Sequence, residues 1–184
     1  MSGLSRISII QHNTNRNPNV MYSLLEIARE SATDFVLVQE PWIEADKKDK
    51  NVIYTISHPT YNCILPNTVN GIRPRVAIFA KKQSVYKFCQ RTDITADSDI
   101  IIIDVSGQNI DSFQIINVYN EKSLNSDADA DADADADSTD YTVERSLQNI
   151  QLSMETLIAG DLNAHHSWWN SSINNNVRSD SLVS

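Results

Sequence analysis

The 184-residue sequence predicts an α/β fold built on mixed β-sheets, because strand patterns and helix patterns alternate along it. A β-branched run at residues 4–11 predicts a first strand that ends in a polar loop. A helix at residues 18–31 follows, since Asn17 is a favourable N-cap and Pro18 suits the first helical position. The apolar side of this helix repeats at helical spacing and consists of Val20, Met21, Leu24, Leu25 and Ala28.

Several strands then follow one another without a helix between them, which favours mixed sheets over a repeated strand-helix-strand pattern. Short apolar runs predict strands at residues 35–38, 51–57, 76–80, 100–105 and 113–119. A second helix is predicted at residues 140–154, where Val143, Leu147, Ile150 and Met154 recur at helical spacing. Residues 157–159 predict a last short strand, so the 184 residues form one domain.

The net charge of −9 depends on one low-complexity segment. Residues 127–137 read DADADADADAD, and without these six aspartates the chain has 18 acidic and 15 basic residues, a net charge of −3. Six like charges on one face of a strand would repel each other, so we expect a solvated loop inserted in the domain. A weak calcium-binding or partner-binding tail is the alternative.

Few features of the sequence indicate where the protein is located or the redox state of its cysteines. The two cysteines, Cys63 and Cys89, have no metal-ligand spacing and predict reduced thiols. The N-terminus lacks a secretory pattern, and the longest uninterrupted apolar run, residues 100–103, is far below the ~20 residues of a membrane helix. The sequence therefore predicts an intracellular protein without a membrane segment.

Polar side chains follow four of the predicted strands, at the point where each strand ends. These residues are Asn13 and Asn15, then Glu40, then Tyr119 with Asn117 and Asn120, and finally Asp161 with Asn163. Taken singly, each has a structural explanation, such as a turn asparagine, a surface glutamate or an Asx turn. Together they predict a site at one edge of a layered α/β fold.

The chemistry of this set favours phosphoester hydrolysis. A carboxylate such as Glu40 and a carboxamide such as Asn13 supply the hard oxygen ligands that Mg²⁺ prefers. Asp161 can orient or deprotonate a water, while Asn163 and the phenol of Tyr119 can donate hydrogen bonds to phosphate oxygens. Such a combination predicts a metal-dependent phosphodiester hydrolase.

The motifs that contain these residues resemble the endonuclease/exonuclease/phosphatase superfamily, and within it the apurinic-endonuclease-like endonuclease domain of non-LTR retrotransposons. They read HNTN around Asn13, VQEPW around Glu40, RVAIF at residues 75–79, INVYN around Tyr119 and AGDLNAHHSWWNS at residues 159–171. The resemblance implies a four-layer α/β sandwich of two mixed sheets flanked by helices. It also implies cleavage of DNA with Mg²⁺ or Mn²⁺ and fusion to a reverse transcriptase, with a nuclear location if the domain acts on chromosomal DNA.

Each site residue then takes the role that the resemblance gives to its position. Glu40 would be the main metal ligand with help from Asn13, and Asn15 would be an auxiliary ligand. Tyr119 would contact the phosphate, Asp161 would position the attacking water and Asn163 would bind the scissile phosphate. The two histidines that follow, His165 and His166, would contact DNA or pack against the site.

One motif of the family is absent from the sequence. Relatives have a Ser-Asp-His motif on their last strands, and none of the four histidines here occupies that position. We therefore expect a domain that is incomplete at its C-terminus and weakly active or inactive as a DNA-nicking endonuclease. A non-catalytic remnant, or a phosphatase or phosphodiesterase acting on another phosphoester, remains the alternative.

Basic residues in the middle of the chain allow two interpretations. They are Arg73, Arg75, Lys81, Lys82, Lys87 and Arg91. Such a group is compatible with weak DNA binding, although an ordinary solvated face is the more frequent explanation.

Overall fold

The computed structural model describes residues 6–49, 52–67, 72–120, 141–152 and 155–163, and these form two stacked four-stranded sheets with a small two-stranded sheet beside them. The elements in chain order are β1 (Ile9–Asn13), α1 (Pro18–Glu30), β2 (Phe35–Gln39), β3 (Ile43–Ala45), β4 (Ile53–Thr55), β5 (Tyr61–Ile64), β6 (Val76–Lys81), β7 (Tyr86–Gln90), β8 (Ile100–Gly107), β9 (Ile110–Tyr119), α2 (Thr142–Arg145) and β10 (Thr156–Asp161). A 3₁₀ turn, Leu147–Asn149, lies between α2 and β10.

Both large sheets are mixed, as the sequence predicts. The first has the order β1-β2-β6-β5, with β1 and β2 parallel and the other pairs antiparallel. The second has the order β10-β9-β8-β7, with β10 and β9 parallel and the other pairs antiparallel. Each sheet therefore has one pair of parallel strands on the side that carries β1 or β10.

The apolar side chains form three packed layers of core. Between the sheets, Phe35, Leu37 and Ile78 pack with Ile103 and Ile115. On the outer face of the first sheet, α1 buries Met21, Leu24, Leu25 and Ala28. On the outer face of the second sheet, Ile100, Ile102, Ile116 and Val118 are covered by Leu147 and Ile150. Because strand residues alternate between these layers, the two mixed sheets stack face to face, with α1 on the outer face of the first sheet and the segment of the 3₁₀ turn on the outer face of the second. The predicted α/β class with two mixed sheets is confirmed, although the layer over the second sheet contains few helical residues in the described part of the chain.

The first helix begins where the sequence predicts. Asn17 is the N-cap, and its side-chain oxygen accepts hydrogen bonds from the backbone N–H groups of Asn19 and Val20. Four of the five predicted apolar positions are buried, whereas Val20 is 37% exposed at the margin of the helix.

The predicted second helix at residues 140–154 is wrong over the residues described. The helix there contains only Thr142–Arg145, and the chain then enters the 3₁₀ turn. Ser146 interrupts it with φ of −133°, and its hydroxyl donates a 2.6 Å hydrogen bond to the Asp97 carboxylate. Leu147 and Ile150 still pack on the second sheet, so their spacing reflects burial and not a continuous helix.

The strand predictions are otherwise confirmed, with small shifts in their ends. The sequence did not predict β3, β5 and β7, which are short or lie at sheet edges. The Asp-Ala segment at residues 127–137 lies outside the described residues. Among the residues described, no helix is long and apolar enough to cross a membrane.

Candidate active site

The two sheets place the ends of three strands at one edge of the sandwich. β1 and β2 are parallel, and in their register Asn13 lies beside Gln39, the residue before Glu40. β10 runs parallel to β9 in the second sheet and contacts both β1 and β2. These contacts place Asn13 and Asp161, which end β1 and β10, at one edge of the sandwich, where Glu40 directly follows the end of β2.

A hydrogen bond between Asn13 and Asp161 joins the sheets at this edge. The Asn13 Nδ2 donates to Asp161 Oδ2 over 2.8 Å. The Asn13 Oδ1 accepts the backbone N–H of Asn15 at 2.8 Å, and Asp161 Oδ1 accepts the backbone N–H of Asn163 at 3.1 Å. Both side chains are thus oriented by their own turns before any ligand binds.

The backbone of Glu40 is held in an unusual conformation by three hydrogen bonds. Its φ is +46°, a left-handed value that is rare for residues other than glycine. Its carbonyl accepts the Arg16 N–H and the Thr14 hydroxyl, both at 2.8 Å, and its N–H donates to the Arg75 carbonyl at 2.8 Å. Strained conformations of this kind concentrate at functional sites, where surrounding contacts maintain them.

The Glu40 carboxylate is mostly shielded from solvent. Its side chain is 15% exposed, and Oε1 lies 3.4 Å from the Arg16 guanidinium, whose side chain is 56% exposed. A depression of about 230 Å³ adjoins this pair and is lined by Arg16, Glu40, Pro41, Arg73, Pro74 and Arg75. The carboxylate therefore borders a small solvent-filled depression with arginine side chains in its wall.

Asn163 lies in the turn that follows β10, beside Asn120. Its φ is +48°, and its Nδ2 donates to the Asn120 carbonyl at 3.1 Å. The Asn120 side chain is buried, donates to the Leu162 carbonyl and accepts the backbone N–H of Val143. These bonds fasten the turn that carries Asp161 and Asn163 to the end of β9.

Tyr119 is buried beside a charged pair that the sequence did not predict. The Arg75 guanidinium lies 5.4 Å from the centroid of the Tyr119 ring, within cation–π range. Arg75 is 5% exposed and binds the fully buried carboxylate of Asp99 through both Nε and Nη2. The Thr142 hydroxyl donates to Asp99 and to the Tyr119 carbonyl. Arg75 is thus part of the interior, and the interpretation of it as a solvated or DNA-contacting base is wrong.

A ladder of amide side chains lies beneath the site. Gln11 donates to Gln39 at 2.6 Å, and Gln39 donates to Asn117 on the second sheet. Asn117 in turn donates to the backbone carbonyls of Val38 and Ala77 at 3.1 and 3.0 Å. These contacts satisfy buried polar groups between two apolar layers and fix the sheets relative to one another.

The remaining predicted site residues are less closely placed. Asn15 has φ of +47°, and its side chain is exposed in the turn after β1. His165 and His166 lie outside the described residues. Arg16 and Asp99 were missed, since Arg16 follows the HNTN motif and Asp99 precedes a strand without a motif of its own.

The donor set suits a hard cation that keeps most of its water ligands. Among the residues described, no three His, Cys, Asp or Glu side chains cluster as a metal cage would require. Mg²⁺ commonly binds one or two carboxylates and retains several waters, and the oxygens of a carboxylate such as Glu40 and an amide such as Asn13 are of the type that it prefers. An amide oxygen has two lone pairs, and only one of those on Asn13 Oδ1 is used by the Asn15 N–H.

Comparisons with known proteins agree with this architecture. A family model described as endonuclease-reverse transcriptase matches residues 113–184. The structure is similar to that of the "Endonuclease domain of TRAS1, a telomere-specific non-LTR retrotransposon", with a TM-score of 0.68 and 16% identity over 97% of this chain and 68% of that chain. No curated protein sequence shows significant similarity to the chain. The chain therefore has the fold of a retrotransposon endonuclease domain, and over residues 113–184 it matches the endonuclease-reverse transcriptase family, which confirms the resemblance that the sequence motifs predict.

Proposed function

We propose that this domain is a divalent-cation-dependent endonuclease that cleaves one strand of duplex DNA. The observation that carries the proposal is the bond between Asn13 and Asp161, which brings both sheets' strand ends to the edge where Glu40 lies. The family match includes Asp161 and Asn163, and the similar solved domain is described as an endonuclease.

Glu40 and Asn13 are the residues that would hold Mg²⁺ or Mn²⁺, with Asn15 as an auxiliary ligand. The cation, when bound, would act as a Lewis acid and offset the charge that develops on a phosphate oxygen. The three backbone hydrogen bonds around Glu40 hold its backbone in place, and they would help to fix this ligand in advance. Preorganised ligands need no rearrangement during the reaction.

Asp161 would orient the attacking water and accept its proton. Its two oxygens already accept hydrogen bonds from Asn13 and Asn163, so the carboxylate has a defined direction. Among the described residues each oxygen accepts one hydrogen bond, and a carboxylate oxygen has a second lone pair that can accept one from a water molecule. A general base held within hydrogen-bond distance of its water contributes on the order of 10²- to 10⁴-fold in rate.

Asn163 and Tyr119 would bind the scissile phosphate. The Asn163 amide donates to the Asn120 carbonyl, which holds this side chain at the end of β9, and amide N–H groups are suitable donors to phosphate oxygens. Tyr119 is held against Arg75 at the same end of β9, and its phenol would supply another donor. His165 and His166, which follow Asn163 in the sequence, would contact DNA or pack against the site.

The wider setting of the domain follows from the same proposal. The partner would be a target-site DNA duplex, and the domain would originally have been fused to a reverse transcriptase. An enzyme that cuts chromosomal DNA would act in the nucleus.

A substrate panel separates this function from its alternatives. The purified 184-residue protein is incubated in Mg²⁺ or Mn²⁺ with supercoiled plasmid, with inositol phosphates and with a phosphomonoester. We expect slow conversion of plasmid to the open circle and no release of inorganic phosphate, because the 184 residues contain no Ser-Asp-His motif but do contain the other site residues. Phosphate release without plasmid nicking would indicate a phosphatase, and no turnover of any substrate would indicate a non-catalytic domain.

A further inference from the structure

The depression beside Glu40 is lined by three arginines, and each of them is in a different electrostatic state. Arg75 is buried and neutralised by Asp99. Arg16 is exposed and pairs with Glu40. Arg73 is exposed and has no ion-pair partner among the residues that the structure describes. Within the described part of the chain, the charge of Arg73 is thus not neutralised by an ion pair, and that of Arg16 is paired with Glu40 alone.

The contact between Arg16 and Glu40 is easily exchanged. It consists of one nitrogen-oxygen approach of 3.4 Å, and the Arg16 side chain is 56% exposed. Exposed ion pairs with a single contact contribute little to stability, because water and side-chain entropy compete with them. By contrast, the bidentate and buried pair of Arg75 with Asp99 is fixed. A divalent cation on the Glu40 carboxylate would therefore displace Arg16 and leave Arg75 unmoved.

The size and charge of the depression suit a phosphate group. Its volume of about 230 Å³ exceeds that of several water molecules, each of which occupies ~30 Å³ in the liquid. Arginine guanidinium groups bind phosphate oxygens through paired N–H donors. Once Arg16 no longer faces Glu40, two guanidinium groups are available around one cavity.

We propose that this depression binds a backbone phosphate of DNA next to the cleaved bond, and that Arg16 exchanges Glu40 for that phosphate when a divalent cation binds the carboxylate. The inference rests on the proposed function, since it assumes a DNA substrate and a cation at Glu40. On this proposal, Arg73 contacts the phosphate whether or not the cation is bound, whereas Arg16 contacts it only when the cation is bound. Arg16 is then a positioning residue that couples cation binding to DNA binding.

The test measures binding of a DNA duplex to the 184-residue protein by fluorescence anisotropy across a range of salt concentrations. Each variant is compared with the wild type in the same buffer, once with Ca²⁺ and once with EDTA. Loss of one phosphate contact reduces the slope of log K against log salt by about 0.9. We expect R73Q to lose this amount in both buffers and R16Q to lose it only with Ca²⁺.

Two further variants make the test specific. In E40Q the carboxylate that holds Arg16 is absent, so the additional change R16Q should weaken DNA binding even in EDTA. R6Q removes an exposed positive charge that precedes β1, at the opposite end of the strand from Asn13, and should leave the slope unchanged. Circular dichroism of each variant establishes that it is folded.

Cation binding without DNA gives a second readout. Because Arg16 competes for the carboxylate, R16Q should bind Mn²⁺ several-fold more tightly than wild type in isothermal titration calorimetry. The proposed exchange of Arg16 would be wrong if R16Q reduced the salt slope equally with and without Ca²⁺, or if it left the Mn²⁺ affinity unchanged. The proposed phosphate site would be wrong if R73Q left the salt slope unchanged. These outcomes are separate from the proposed function, because Glu40-dependent nicking could persist in either case. Conversely, the arginine effects could hold in a protein that never cleaves DNA.

Discussion

The carboxamide of Asn13 donates a 2.8 Å hydrogen bond to the carboxylate of Asp161, although 148 positions separate them in the chain. Asn13 ends β1 in the first sheet and Asp161 ends β10 in the second. The bond therefore reports directly on how the two sheets are stacked at the candidate active site.

The bond between Asn13 and Asp161 should be measurable as an energetic coupling. In a double-mutant cycle of N13A and D161A, we expect urea unfolding to give a coupling energy of about 1–2 kcal/mol, since the acceptor is charged and partly shielded. The exposed Asn15 serves as the comparison residue. N15A and D161A should be additive within about 0.5 kcal/mol, and a zero coupling for Asn13 would contradict the observed contact.

The pair of Arg75 and Asp99 should dominate the stability of the region below the site. D99L leaves the Arg75 guanidinium buried without its carboxylate, and the loss of one member of a buried pair costs about 3–5 kcal/mol. Urea unfolding with the linear extrapolation measures this change. D93N, which removes a carboxylate from the exposed pair with Arg91, should have a far smaller effect. Similar losses in both variants would show that Arg75 is solvated.

Gly160 should not tolerate a side chain. Its φ is +154°, and a Cβ atom there would lie 1.8 Å from the Val118 carbonyl oxygen of the adjacent strand. G160A must therefore separate β10 from β9, which displaces Asp161, and we expect a clear drop in Tm together with loss of nicking. At Gly107 the nearest atom to a new Cβ belongs to the Tyr86 side chain at 2.8 Å. Because that ring can shift, G107A should cost less, and the reverse order would be inconsistent with the strand register.

Stability should fall in acid through Glu26 on α1. The pKa of Glu26 is lowered by the hydrogen bond from His58 and by that from Arg29. A lowered pKa in the folded state gives stability that is present above the unfolded pKa of about 4.3 and is lost as the pH falls through the folded value. The Tm difference between wild type and E26Q should therefore be largest near neutral pH and shrink below about pH 4.

Glu44 provides the control for the pH experiment. It is exposed on β3 and has no ion pair with any residue in the described part of the chain. E44Q should track the wild type at every pH. A Tm difference for E26Q that stays constant from pH 7 to pH 3 would show that the bonds to His58 and Arg29 do not favour the ionised carboxylate.

Patterns among neighbouring residues predict some helices and strands correctly and others incorrectly. The Asn17-Pro18 start and its apolar spacing predict α1 correctly, because a cap and a buried stripe are both encoded within a few residues. The spacing of Val143, Leu147 and Ile150 predicts a helix that does not form, since Ser146 bonds to Asp97 and the apolar groups pack from a 3₁₀ turn. The spacing of apolar residues indicates which side chains are buried. Whether the backbone between them is helical also depends on contacts with residues that are distant in the chain.

Some features of the candidate site could likewise be predicted from the sequence, whereas others could not. The positions of Asn13, Glu40 and Asp161 at or directly after strand ends could be predicted, because each ends or follows an apolar run in the sequence. The burial of Arg75 could not be predicted, since its partner Asp99 lies 24 positions away and belongs to no motif. The contact of Arg16 with Glu40 likewise depends on how two neighbouring loops turn, which strand patterns do not specify.

The most direct test of the central claim is the rate at which supercoiled plasmid is nicked by wild type and by E40Q in Mg²⁺, with E44Q as the matched carboxylate control. Wild type and E44Q should produce open circles slowly and at equal rates, and EDTA should stop both. E40Q should produce none, because the amide cannot replace the carboxylate as a cation ligand. Nicking by E40Q at the wild-type rate would contradict the assignment of this strand edge as the active site.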